Sequence, residues 1–475
     1  MHIANILALA RAGATSRAWE SFVAGGLADV TDDPKALTLK GRLLKDQARK
    51  AGGDAAARLY VQSAKAYADA AALRPDTYPL INAATMSLFA GQPGHMELLA
   101  QKVLTMLGTG IGAGETPYWH EATRAEALLL LGRDDEAQAA LGKAIIAAPA
   151  AWEDRAATLR QFRQILEFRG QQCQWLADYA APASVYFRGM IAIAAGDVHA
   201  ADSARDAVIA ANAGFGYGAI AAGADILIAE ALIEHGADLH VVLPALPSVF
   251  RTHSVAPYGA AWLPRFDRLF EQAASVTIAA EDDILTEASI NLAALVAKGA
   301  AIENAGRLEG RPTGLDLNDR PSPDFTPETD VFVALERSVI LPPMNLAKGN
   351  IRTVIASDYA GSDAENWEPI ADGFYALSTD SLTSVADLLI GLRHTAPAAR
   401  CATVVAAVQT AAGGGDNHIA RALRMAQCAT AGTSVADAGS ARAMLSKYPT
   451  MRTEPLGELP GADGAVEIYA IEPQT

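Results

Sequence analysis

The sequence predicts a multidomain chain of three differently built parts: an all-α helical array, then an α/β domain, then an α+β domain. Three observations predict it. Paired segments with apolar residues at helical spacing, each closed by glycine or proline, run from Ala36 to Pro149. Beyond Tyr179, short runs rich in β-branched residues alternate with helical segments, the pattern of a parallel sheet covered on both faces. Past a proline-rich stretch, strands and helices mix without that alternation. A length of 475 residues accommodates about three domains of ordinary size. The expected boundaries are 1–178 for the array, 179–303 for the α/β domain, 304–329 for a linker and 330–475 for the last domain.

Within the array, Glu121 to Gly132 and Asp134 to Ala148 form the clearest pair. Alanines let the two helices approach closely, Gly132 suits a left-handed helix end, and Asp134 or Asp135 suits a cap on the next helix. Ala36 to Lys50 pairs with Ala56 to Leu73, and Tyr78 to Gly91 with His95 to Gly108. Units of roughly 34 residues ending in proline describe the tetratricopeptide repeat, which stacks to leave a concave face. The wording at 78–85, Tyr-Pro-Leu-Ile-Asn-Ala-Ala-Thr, and at 155–162, Arg-Ala-Ala-Thr-Leu-Arg-Gln-Phe, resembles the TRAF-binding repeat region of apoptosis-signal-regulating kinases and its bacterial relatives. That resemblance implies a protein partner on the array. Trp119 and Trp152 read as packing between repeats or as ligand contacts on the concave face. The glycine string from Gly108 to Gly114 lacks the Lys-Ser/Thr of a phosphate loop and reads as a connector.

In the α/β part, Val185-Tyr-Phe-Arg-Gly-Met190 and Leu239-His-Val-Val-Leu243 read as strands. Between them Gly214-Phe-Gly-Tyr-Gly-Ala-Ile-Ala-Ala-Gly-Ala-Asp225 reads as a glycine turn opening the helix Ile226 to His235. Glycines there allow backbone amides to reach an anion at the positive end of a helix. These residues look like the SLOG superfamily, a Rossmann-like group related to Lonely-Guy and DNA-processing proteins. The resemblance implies nucleotide binding by Gly189, Gly218, Gly223, Ala224, Asp225 and Glu230, and Gly216 of the same glycine turn is a further candidate. Asp225 reads equally as a helix cap. Arg251, His253, Ser254 and Tyr258 lie in a stretch able to close over a phosphate, or in a plain surface loop.

The stretch 304–329 holds four prolines and few apolar residues, as a linker does. Beyond it, strands are expected at 352–358, 373–377, 402–408 and 465–471, and helices at 382–393 and 417–428. Thr353-Val-Ile-Ala-Ser-Asp358, Ile370-Ala-Asp-Gly-Phe-Tyr375 and His418-Ile-Ala-Arg-Ala-Leu-Arg424 resemble the class III nucleotide cyclases. The resemblance implies Asp358 and Asp372 as metal ligands, Arg424 as a phosphate contact, and Mg only where such a site is active. Only 14 positions separate the two aspartates, where that family inserts a helix and a strand. Ala420 stands in place of the ribose-positioning asparagine, so the tail reads as a pseudo-cyclase that could still pair into a homodimer.

Composition narrows the partners. The 54 acidic residues exceed 38 basic ones, for a formal net charge of −16, which disfavours nucleic acid and anionic membrane surfaces. Cys173, Cys401 and Cys428 form no CxxC pair and are odd in number, the pattern of free thiols in a reducing compartment, here the cytoplasm. The opening residues carry no basic region ahead of their apolar stretch, and no run of roughly 18 apolar residues is free of charge. Neither export nor membrane spanning is expected. The function this predicts is a regulatory protein whose array holds a partner and whose middle domain senses a nucleotide-type small molecule. The alternatives are a nucleotide-processing enzyme, either a weak cyclase or a nucleotide or NAD hydrolase, and a pure scaffold.

Overall fold

The computed structural model describes residues 3–11, 15–110, 115–280, 284–339, 346–360, 364–409, 415–461 and 464–473. These fall into two compact units, Met1–Ala180 and Ala181–Thr475. The end of the glycine string, 111–114, lies outside the described residues.

The first unit is all helical: α1 (Ile3–Arg11), α2 (Thr15–Ala24), α3 (Pro34–Lys50), α4 (Gly53–Leu73), α5 (Thr77–Phe89), α6 (Pro93–Leu107), α7 (Pro117–Leu130), α8 (Asp134–Ala147) and α9 (Trp152–Phe168). Each consecutive pair from α3 to α8 packs as a hairpin. Small residues set the spacing: a Cβ on Gly41 of α3 would stand 2.7 Å from the Tyr67 ring of α4. Gly132 takes the expected left-handed conformation at φ 75°. The expected cap on α8 is absent, because Arg133 occupies the cap position and Asp134 and Asp135 lie inside the first turn, where their charge meets the helix dipole instead. Trp119 packs beside Tyr118, Ala122 and Ala144, and Trp152 lies under the guanidinium of Arg155 at 4.4 Å. Helices α1 and α2, before the first pair read from sequence, close a core of Ile6, Phe22, Leu39 and Leu43 against α3.

The second unit holds two sheets. The first comprises β1 (Ala183–Gly189), β2 (Ala213–Gly218), β3 (Asp238–Leu243), β4 (Ser275–Ile278), β5 (Pro312–Asn318) and β6 (Val331–Ala334), with helices α10 (Val198–Ala210), α11 (Ala224–Glu234), α12 (Pro247–Ser254), α13 (Leu263–Gln272) and α14 (Glu287–Arg307). All its pairings are parallel, in the order β4-β3-β2-β1-β5-β6. Two expectations fail here. The glycine-rich Gly214-Phe-Gly-Tyr-Gly218 is strand β2 rather than a turn, because Phe215 and Tyr217 alternate with glycines that admit Pro182 and Leu232 at 2.3 Å from the would-be Cβ atoms. The stretch 304–329 is no linker, since it contains the end of α14 and the central strand β5. Its low apolar content misleads because Asp330 does the anchoring: its carboxylate accepts from Tyr186 Oη at 2.8 Å, from Gly314 N at 3.0 Å and from Thr326 N at 2.9 Å.

The second sheet is mixed. Its elements are β7 (Gly349–Ser357), β8 (Glu368–Ala371), β9 (Phe374–Thr379), α15 (Thr383–Thr395), β10 (Cys401–Gln409), α16 (Gly415–Cys428), β11 (Ser434–Asp437), α17 (Ala438–Leu445), β12 (Arg452–Gly461) and β13 (Gly464–Glu472). The strand order is β12-β13-β11-β10-β7-β9-β8. β11, α17 and β12 were not read from sequence. α14 touches β1, β2, β3 and β5 of the first sheet, β7 and β10 of the second, and α17. Alanines at 288, 293, 297, 300, 301 and 305 bury its surface, and at Gly299 an added Cβ would stand 1.8 Å from Arg442 O of α17. Arg442 also donates to Glu303 Oε2 at 2.8 Å.

Two glycines of α14 therefore behave oppositely. Gly299→Ala forces the two helices apart and costs roughly 2–3 kcal/mol. Gly306→Ala, whose Cβ meets nothing within 4 Å, stabilises by roughly 0.5–1 kcal/mol. Urea denaturation of both variants checks this, and equal effects would refute the close contact.

Candidate functional site

In an open parallel sheet, ligands lie outside the carboxyl ends of the strands where chain order reverses. Here that point is between β1 and β5, since β2 to β4 extend from one side of β1 and β5 and β6 from the other. Arg188 and Gly189 end β1, Asp316 and Asn318 end β5, and Asp225 opens α11 directly after the turn 219–223.

The turn is built by its neighbours. Gly223 caps α11 at φ 96°, with Met190 O and Ile191 so near that a Cβ would come within 2.5 Å of the carbonyl. Ala224 N donates to Met190 O at 3.0 Å, and Ala222 N to Ser254 O at 3.0 Å. Ser254 thus reaches the site through its carbonyl; the stretch around it is helix α12, not a loop. Arg251 there pairs outward with Asp267 at 2.8 Å. The remaining glycines serve packing: a Cβ on Gly189 would meet Ala224 at 2.4 Å, on Gly216 Leu232 at 2.3 Å, and on Gly218 Phe187 at 2.7 Å. Each lets α11 or a neighbouring side chain seat directly on the sheet.

Asp225 is the unusual group. It lies in the first turn of α11, two residues past the cap Gly223, and is 8% exposed. Its Oδ1 has no hydrogen-bond partner. Burial pushes its pKa up to about 8, against a smaller opposing pull from the amides of Gly189 and Ala221 and from Arg188. A pKa of about 8 favours the protonated form at neutral pH, in which the carboxyl is a hydrogen-bond donor. Around it, Arg188 forms an ion pair with Asp324 at 2.6 Å and approaches Asp316 at 3.8 Å. Asp316 also accepts from Asn318 Nδ2 at 2.6 Å and Ser322 N at 2.7 Å. Lys298 of α14 also acts on Asp324, so the two carboxylates face a guanidinium and an ammonium. The segment after β1 is pinned over it by Ala194 N donating to Ser338 Oγ at 2.8 Å and Ser338 N to Ala192 O at 2.9 Å. Sequence reasoning missed Arg188, Asp316 and Asp324; the acidic residues hid in what read as a linker.

Glu230 does not join this group. Its carboxylate is held by Arg265, with Nε to Oε1 at 2.9 Å and a second bond from Nη2, and by Arg268 at 2.5 Å.

In the second sheet the pairing of Ser357 with Tyr375 brings Asp358 and Asp372 to the same end. Both carboxylates have structural partners. Arg400 grips Asp358 through N and Nε, each at 2.8 Å. Asp372 and Gly373, at φ 53° and 78°, form the two-residue hairpin turn between β8 and β9, and Gln427 Nε2 donates to Asp372 Oδ2 at 3.1 Å. Arg424 lies exposed on α16. Among the described residues, no group of three His, Cys, Asp or Glu side chains is placed to hold a metal ion.

Residues 4–87 match the family model described as Tetratricopeptide Repeats-Sensor. The helical first unit is thus a tetratricopeptide-like region over that span. No curated protein and no solved structure matches the chain. Among the described residues, no helix is long and apolar enough to cross a membrane.

The raised pKa of Asp225 has a definite sign in stability. The folded protein keeps a proton that the unfolded chain releases above about pH 4, so stability falls between roughly pH 4 and 8 as the ionised unfolded state gains. Asp225→Asn, which cannot ionise, is expected to gain on the order of a few kcal/mol over the parent at about pH 8 and nothing extra near pH 4. Denaturant melts across that range decide it; a pH-independent difference would mean the carboxyl is ionised in the folded protein.

Proposed function

We propose that this protein is a non-catalytic regulator in which the helical array holds a protein partner, the crevice between β1 and β5 takes the nucleoside part of a nucleotide-type ligand, and the tail is a catalytically idle relative of the cyclase fold. The observation that carries the reading is the buried Asp225, its pKa raised by burial and its Oδ1 without a hydrogen-bond partner, at the carboxyl edge of a parallel sheet. A donor of this kind suits a ring nitrogen or sugar oxygen. Arg188 is already taken up by Asp316 and Asp324, which favours neutral hydroxyls and bases over phosphate. The Tetratricopeptide Repeats-Sensor match over residues 4–87 supports a regulatory or protein-interaction role. The pairing of Asp358 with Arg400 and the use of Asp372 in a hairpin turn support an idle tail.

Thermal melts against nucleosides, nucleotides and NAD derivatives test the crevice. A ligand at 100 times its dissociation constant adds about 2.7 kcal/mol of stability. Asp225→Ala is expected to abolish the shift. In the parent, affinity should fall about tenfold per pH unit above roughly pH 8 as the donor ionises, whereas Asp225→Asn should lose this pH dependence. A shift that survives in Asp225→Ala places the ligand elsewhere, and the absence of any shift defeats the sensing role.

A further inference from the structure

A second polar cluster lies inside the array, far in sequence from the crevice. It links four helices in a closed cycle. Between α3 and α5, Lys45 Nζ donates to Asn82 Oδ1 at 2.9 Å. Between α5 and α7, Thr85 Oγ1 donates to Glu126 Oε1 at 2.5 Å, and α9 joins α7 through Gln161 Nε2, which donates to the same oxygen at 3.1 Å. The last link returns to the first helix: Arg49 of α3 gives Nη2 to Gln161 Oε1 at 2.8 Å and Nε to Gln164 Oε1 at 3.1 Å. Asn82, Thr85 and Gln161 are buried within the cycle, while Arg49 and Gln164 are half-buried at its closure.

The link between α3 and α9 differs from the others in kind. Helices packed side by side in a row stand roughly 8–10 Å apart, so helices three such steps apart would be on the order of 25–30 Å from each other. An arginine and a glutamine cannot span that, so the array curls until α3 and α9 meet. Polar contacts cross the seam between them: Asp46 of α3 acts on Arg160 of α9, and Arg49 reaches Gln161 and Gln164. Apolar residues of the two helices turn elsewhere. Leu39 and Leu43 of α3 pack with Ile6 and Phe22, whereas Phe162 and Ile165 of α9 lie in the core shared with α4 to α8. α9 is held to α5 and α7 by packing as well as by hydrogen bonds.

We propose that Arg49 is the clasp of this ring: while it holds Gln161 and Gln164 the inner face of the array is shut, and its release parts α3 from α9 and uncovers the row of Asn82, Thr85, Glu126 and Gln161. Hydrogen bonds at a half-exposed seam exchange for bonds to water at small net cost, whereas parting an apolar core exposes its whole surface. The seam is therefore where the ring yields first. The clasp governs access to the inner face of the array, and so deepens the partner-holding role proposed above and rests on it. Its test uses no partner, so the clasp and that role fail separately.

Pulsed electron spin resonance on the full chain reads the opening as a distance. One nitroxide goes on Gly52→Cys just past α3, where an added Cβ meets nothing within 4 Å, and the other on Glu167→Cys, exposed on α9, with Cys173 and Cys428 replaced by serine. The clasped chain is expected to give one narrow distribution. Arg49→Met should add a population longer by at least about 5 Å, the size of a one-turn helix shift. Gln164→Leu, which removes one of the two bonds, should add a smaller fraction of it, and Lys143→Met on the exposed side of α8 should add none. Circular dichroism melts establish that the variants fold; if Arg49→Met does not, Gln164→Leu decides. The proposal is overturned if the deciding variant keeps the parent's single distribution, if Lys143→Met lengthens it equally, or if the long population already dominates in the parent.

Discussion

Helix α14 has an inside on more than one side, and the second unit is organised around that constraint. A helix that covers one sheet needs a single apolar stripe; this one meets strands of two sheets and the backbone of α17. Large side chains cannot be accommodated in all those directions at once, so the helix carries alanines and, at the tightest point, Gly299. Its start is held by a reciprocal cap between Thr286 and Ser289. With the helix seated, Asn304 near its end donates to Ser184 of β1 at 3.0 Å, and β1 in turn carries Arg188 and Gly189 to the crevice. The position of the candidate site is therefore inherited from α14, which also sends Lys298 toward Asp324 beside it.

The two polar clusters solve opposite electrostatic problems. In the crevice, burial favours the neutral form of the Asp225 carboxyl, and the neighbouring carboxylates are held by Arg188. Within the array, burial acts on a lysine already crowded by Arg49 and Arg42. Desolvation penalises the charged form in both places, yet it acts on an acid in the first and on a base in the second. A chain with strong overall negative charge can hold both because the environment of each is set within a few ångströms.

Periodic apolar spacing made the array legible, and α3 to α8 fall close to the segments read from Ala36 onward. The parallel strands β1 and β3 were legible for the same reason. Strand β2 was not, because its glycines look like turn residues until the partners that need their missing side chains are known. β5 was hidden because its buried position rests on Asp330 and Gly314, a polar anchor and a close approach, with only Leu315 and Leu317 as apolar signal. Asp225 was legible as a position but not as a protonated acid, since that depends on burial. The cross-helix partnership of Lys45, Glu126 and Arg49 had no local trace at all.

Tandem helical repeats ordinarily behave as one-dimensional materials, in which each unit leans only on its neighbours and the ends can fray independently. The span from Arg49 to Gln161 and Gln164 removes that freedom. It ties an early hairpin to the last helix, so the loop between them must close before either end is complete, and the entropy of that closure enters the folding barrier. Such an array trades modular growth for cooperativity: inserting or deleting one hairpin would not lengthen or shorten it but would break the ring.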